Sequence, residues 1–173
     1  ASDRAIQRLS DRPRFYFDYA TEAKAQASGK SAWTPATTLV FALQQVLNEI
    51  HQMGIGKLVE HHTQLANAAR EAVKAMQLCL FPKQNPSNAL TAIHTGTLDA
   101  EALRKTMRDD FGALLAGGQD QLKGKIIRLS HLGFVSRFHL IHGLSALEFA
   151  LKRHKHDFTP GLGVQKAIAM LAE

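Results

Sequence analysis

An α+β fold, in which a small, mainly antiparallel sheet carries helices on one face, is what this sequence predicts. Two observations lead there. The hydrophobic spacing changes along the chain from long helical segments to short β-type runs and back, in the order helix, helix, strand, strand, helix, strand, strand, helix. Strict strand–helix alternation is missing, which favours a layered α+β arrangement over a doubly wound parallel sheet. With 173 residues, 45% of them apolar and 21% charged, the chain has material for one core and the balance of a soluble globular protein.

The elements follow in order. Ile6 and Leu9 stand at helical spacing within residues 4–12, and Pro13 ends that short helix. From Pro13 to Pro35 the pattern is irregular, and Phe15, Tyr16, Phe17, Tyr19 and Trp33 gather around a turn at Ser28-Gly29-Lys30, so a long loop is expected. Thr34-Pro35 reads as a helix start with a hydroxyl at the cap, followed by the stripe Leu39, Leu43, Val46, Leu47, Ile50. Gly54 and Gly56 break it, and a second helix is expected from about Lys57 to Met76, with Leu58, Leu65, Ala69 and Val73 along one side.

Leu78-Cys79-Leu80-Phe81 and Ala89–His94 then read as strands separated by Pro82, Asn85 and Pro86. A helix over Asp99–Asp110 carries Leu103 and Met107 inward. Phe111–Ala116 and Lys125–Leu129 read as two more strands around Gly117-Gly118. Phe138–His154 is amphipathic again, and a last helix follows Gly163.

Composition bounds the function classes. A formal net charge of +6 makes nucleic acid a partner to weigh, but the basic residues are scattered, and the densest group, Lys152–His156, sits at a helix end where cations complement the macrodipole. A basic module binding RNA or protein is therefore the alternative reading, and exposed aromatics on central strands are what it would need. The single cysteine, Cys79, excludes an internal disulfide framework; it is expected to be buried in its apolar strand, unsuited to nucleophilic chemistry, and in a reducing cytoplasm. No apolar run approaches the ~20 residues of a membrane span, and Asp3, Arg4 and Arg8 precede no apolar core, so neither anchor nor signal peptide is expected.

Several motifs invite chemistry and read better as structure. Ala27-Ser28-Gly29-Lys30-Ser31 ends like a phosphate loop, but Lys24 occupies the earlier glycine position and no strand precedes it. His139 and His142 have a helical metal-ligand spacing without a carboxylate or cysteine to complete a set, so no metal is expected. Arg128 is different. It lies on the strand Lys125–Leu129 beside the turn Ser130-His131-Leu132-Gly133, where a planar guanidinium could take a small carboxylate in bidentate fashion or pair with a neighbouring acid. The residues alone leave both open.

Leu122–Phe134, with Gly124-Lys125 before the arginine, resembles the strand and turn of class V pyridoxal-phosphate aminotransferases. Trp33–Leu43 is similar to their Thr-Pro helix start, and Phe111–Gln119 to the Gly-Gly strand that precedes the arginine strand. The resemblance runs through essentially the whole chain and is strongest to the serine–pyruvate or alanine–glyoxylate branch, which includes proteins labelled soluble hydrogenase small subunit.

It implies the C-terminal part of a fold-type I, homodimeric, cytoplasmic enzyme: residues 1–34 as a remnant of the large domain and interdomain loop, 35–76 as interdomain helices, and 77–173 as the small domain. It further implies pyridoxal 5'-phosphate as cofactor, and exchange of an amino group between a small amino acid and glyoxylate or pyruvate. Arg128 would bind the substrate carboxylate. Thr34, and Ser31 where relatives often carry Tyr, would reach the phosphate of the partner's cofactor; Ser130 stands where the family usually has glycine. The lysine that holds the cofactor lies upstream in the family, so the chain is expected to begin just after it and to be inactive alone, with no membrane or nucleic-acid partner.

Overall fold

The computed structural model describes residues 2–10 and 12–172, which fall into two compact units, residues 1–52 and 53–173. Asp11, inside the first expected helix, lies outside the described residues.

The first unit is helical. After a short α1 (Asp3–Ile6), the stretch expected as a loop contains a helix, α2 (Tyr19–Gln26). Asp18 starts it by accepting from the Ala20 amide at 3.0 Å and from the Thr21 hydroxyl at 2.7 Å, an N-cap that satisfies a first-turn donor. None of its residues is buried, which is why no apolar stripe betrayed it. Phe15 and Tyr16 pack on Trp33 with ring centroids 4.7 and 4.8 Å away. The next helix, α3 (Thr37–Met53), starts three residues after Thr34, so Thr34 is not its cap. Its expected stripe is present but uncovered: Leu39, Leu43, Val46 and Leu47 are all exposed.

The second unit is the α+β layer. Its elements are α4 (Ile55–Ala75), β1 (Cys79–Leu80), β2 (Leu90–His94), α5 (Ala100–Phe111), β3 (Ala116–Gly117), β4 (Ile126–Ser130), α6 (Arg137–Arg153) and α7 (Leu162–Leu171). The four strands form one antiparallel sheet in the order β1-β2-β4-β3. Period-2 alternation sends Ile93, Ile127 and Leu129 into the core. There they meet Leu65, Ala69, Val73 and Met76 around α4, Leu103 and Met107 of α5, and Leu140, Leu144, Leu147 and Leu151 of α6. Burying a leucine or isoleucine stabilises by about 1.5–3 kcal/mol, so this cluster is the main reason the sheet holds its shape.

Two sequence expectations are corrected here. Phe111 ends α5 rather than opening a strand, because Gly112 takes the left-handed conformation that closes the helix, and pairing begins only at Ala116. Cys79 is exposed, not buried: Leu78 and Leu80 take the core side, and alternation turns the thiol outward opposite His94.

Helix ends are fixed by side chains. Asp99 accepts from Glu101 at the start of α5, and Ser136 and His139 form a reciprocal capping box on α6. The start of α7 is served across the core. The buried Glu148 carboxylate of α6 accepts from the Gly161 amide at 2.6 Å and the Val164 amide at 3.1 Å, satisfying two donors left without helical partners. Replacing Glu148 by Ala strands both amides, and a loss of about 2 kcal/mol is expected from urea unfolding, with Glu148→Gln losing about half as much.

Candidate functional site

Strand β4 builds the site because its alternation divides the labour: Ile127 and Leu129 face the core, while Arg128 faces the opposite side of the sheet. In register, Arg128 stands between Ala92 of β2 and Ala116 of β3, two side chains too small to cover it. Its Nε donates to the Gly117 carbonyl at 2.8 Å. Among the described residues no carboxylate lies within ion-pair distance of Arg128; the nearby acid, Glu101, pairs instead with Arg104 at 2.7 Å. The half-buried Arg128 lines an open cleft of about 470 Å³ with Arg104, Leu114, Leu115, Ala116, Leu129 and Ser130, and its two Nη groups have no hydrogen-bond partner among the described residues. A planar donor fork beside apolar walls is the arrangement that takes up a small carboxylate.

The two other residues singled out belong to the first unit. Thr34 is exposed just ahead of α3, and the exposed Ser31 donates its hydroxyl to the Trp33 carbonyl at 2.7 Å. The phosphate-loop look-alike around them has no free cradle. The amides of Ser28, Gly29 and Lys30 all donate back to Ala25 or Gln26, closing the end of α2. Of the histidines weighed as ligands, His139 is used in the capping box, and no group of three metal-ligating side chains assembles among the described residues. Three residues of the basic run at the end of α6 have internal partners: Arg153 pairs with Asp110, His154 meets Thr106, and His156 donates to the Met76 carbonyl, while Lys152 and Lys155 are exposed. None of the four strands carries Phe, Tyr or Trp, and their one ring able to stack on a base is that of His94 at the end of β2.

A polar network that the sequence did not reveal fixes the turn after β4. His131 is fully buried, and its Nε2 meets the Thr91 hydroxyl at 3.0 Å. From α4, His62 Nδ1 donates to the His131 carbonyl and His61 Nε2 to the Val135 carbonyl, both at 2.9 Å. Arg70 anchors the preceding loop through the Ser87 carbonyl and the Asn88 side chain, each at 2.9 Å. These contacts span 17 to 74 residues of sequence, so no local signal could have announced them.

The chain is similar to known proteins over most of its length. No family model matches it. The soluble hydrogenase small subunit of Synechococcus sp. is 38% identical over 92% of this chain and 42% of its own length. The serine–glyoxylate aminotransferase of Methylorubrum extorquens is 28% identical over 92% of this chain and 40% of its own. Among solved structures, the pyridoxamine–pyruvate aminotransferase of Mesorhizobium loti superposes with a TM-score of 0.85 at 25% identity, covering 99% of this chain and 46% of that one. The chain thus spans about two-fifths of the length of the curated relatives it matches, and its fold is that of the C-terminal regions of aminotransferases.

The buried network carries a pH signature. Burial pushes the His131 imidazole from 6.5 down to about 4; the nearby Asn88 backbone offsets part of this, while Arg70 and His62 add to it. Above the unfolded value both states are neutral and the contribution is complete. As pH falls from 6.5 toward 4 the unfolded chain takes up a proton that the folded one refuses, and stability drops. Urea midpoints should show a loss of about 2 kcal/mol between about pH 7.5 and about pH 5, largely flattened in His131→Asn.

Proposed function

We propose that this chain, similar in sequence to a serine–glyoxylate aminotransferase and in fold to the C-terminal regions of aminotransferases, supplies the substrate-carboxylate site of such an enzyme. One observation carries the reading. Arg128 is half-buried beside an open cleft, its Nε is fixed to a backbone carbonyl, and no described acid competes for its fork. An internal ion pair would have left nothing to offer a ligand. As it stands, the two Nη groups can donate in parallel to the two oxygens of an amino or 2-oxo acid. That holds either substrate by its common end, so amino acid and 2-oxo acid use one site in turn. The leucines Leu114 and Leu115 that line the cleft suit a small, uncharged remainder.

Amino transfer needs a group able to carry the nitrogen between the two acids. Pyridoxal 5'-phosphate, when bound, supplies an electron-withdrawing ring that weakens the bonds at the substrate's α-carbon. The residues of the first unit fit its phosphate. Thr34 presents an exposed hydroxyl next to the start of a 17-residue helix, and a hydroxyl with first-turn amides is the donor set a phosphate takes, which Ser31 joins once its hydroxyl leaves the Trp33 carbonyl. In this reading they serve the cofactor of a second copy in a homodimer. The lysine that holds the ring is none of those in this chain, and the protein works in the cytoplasm.

Two measurements test the proposal. In the full-length protein, Arg128→Ala should lower kcat/KM for serine or alanine with glyoxylate by about 10²-fold, with Arg128→Lys in between, since a charge-assisted pair contributes about 1.5–3 kcal/mol. An unchanged kcat/KM in Arg128→Ala would remove the carboxylate role. The chain of 173 residues by itself should give no product from alanine and glyoxylate, and turnover by it would place the cofactor lysine among its own residues.

A further inference from the structure

The edge strand β3 is held by two arginines that approach it from opposite faces. In the β3–β4 pairing, Ala116 stands opposite Arg128 and the Gly118 amide donates to the Ile126 carbonyl. That pattern turns the carbonyls of Leu115 and Gly117 away from β4, toward the free edge. Arg128 reaches over its register partner Ala116 to donate Nε to the Gly117 carbonyl at 2.8 Å. From α5, Arg104 donates Nε to the Leu115 carbonyl at 2.8 Å and Nη1 to the Glu101 carboxylate at 2.7 Å. The Arg104–Glu101 pair lies so tightly under Gly117 that a Cβ there would come within 2.6 Å of Arg104 Nη1 and 2.7 Å of Glu101 Oε1. A two-residue strand on the sheet's edge has little else to fix it.

We propose that Arg104, locked by Glu101 and seated against Gly117, is a positioning residue: it fixes the edge of β3 so that the Gly117 carbonyl aims the Arg128 fork at the substrate carboxylate. The inference rests on the carboxylate role of Arg128. Its physical content is that a bidentate pair needs two donors aligned at once, and alignment is lost when the carbonyl that orients them drifts. The Nε and Nη1 of Arg104 are already held by a carbonyl and a carboxylate, so its part in this proposal is to hold the strand.

The test uses full-length protein carrying Arg104→Met, and Glu101→Gln in case the first variant does not fold. Each should raise KM for alanine and for glyoxylate about tenfold, the loss of one hydrogen bond's worth of orientation, with kcat little changed. With alaninamide, which lacks the carboxylate, the same variants should match the parent; an equal penalty on acid and amide would mean general loosening and overturn the proposal. Arg128→Ala combined with Arg104→Met should be no worse than Arg128→Ala alone, whereas additive losses would show that Arg104 acts independently. A readout without turnover is available in the chain itself: the Arg128 Nε–H resonance should be slowly exchanging, and should exchange rapidly in Arg104→Met. The two ideas fail separately. If Arg128→Ala leaves KM unchanged, the carboxylate reading is wrong; if only the Arg104 and Glu101 variants do, the positioning role alone is.

Discussion

A single hydrogen bond, from the Arg128 Nε to the Gly117 carbonyl, organises what is chemically distinctive about this chain. A guanidinium carries five N–H donors in a rigid plane, so fixing one of them fixes the direction of the rest. The bond crosses from an inner strand to an edge strand, and it exists only because Ala116 is small enough for the arginine to pass over. Everything beneath it serves to keep β4 and β3 in register. The core of Ile93, Ile127 and Leu129 against α4, α5 and α6 fixes the inner strands, and the α5 side chains fix the outer one.

The turn beyond β4 is tied down by different means, and the difference is physical. The ladder ends where the His131 amide donates to the Ala89 carbonyl, and beyond it the carbonyls of His131 and Val135 are taken by two consecutive histidines of α4, with the His131 ring itself fully buried. Adjacent residues on a helix point about a quarter-turn apart, which lets His61 and His62 serve carbonyls four residues apart in the turn. The arrangement holds the strand end rigid while leaving Ser130 and Arg128 facing the cleft. An imidazole suits this role because either ring nitrogen can carry the N–H that a carbonyl accepts.

How much of this was legible follows from which signals are local. The helices α4, α5 and α6 and the strands β2 and β4 were readable because periodicity and caps lie within a few residues of one another. Helix α2 was hidden because its faces are alike and none is buried; only Asp18 marked it. The apolar run Phe111–Ala116 read as a strand because composition cannot show that Gly112 closes a helix there. Cys79 was misjudged from its neighbours, when alternation along β1 was the better guide. Arg128 stood out as a lone charge on an apolar strand, yet its partner is a backbone carbonyl that no residue type encodes. The His131 network and the Arg104 contact depend on chain segments brought together by the fold.

The two arginines of the cleft show why the same side chain can bind or brace. Arg104 has an acid at 2.7 Å and a carbonyl at 2.8 Å, so an incoming carboxylate would have to displace a partner of its own kind and would gain little. Arg128 has only a neutral carbonyl, leaving its charge uncompensated in a half-buried setting. Such a charge gives up part of its hydration on folding, at a cost the core must offset, and recovers it when an anion arrives. An arginine meant for structure would be paired at that depth, as Arg104 is. Arg104 from α5 reaches β3 with an acid of its own and Arg128 from β4 reaches it with none, and on that difference rests the proposal of Arg128 rather than Arg104 as the carboxylate-binding residue.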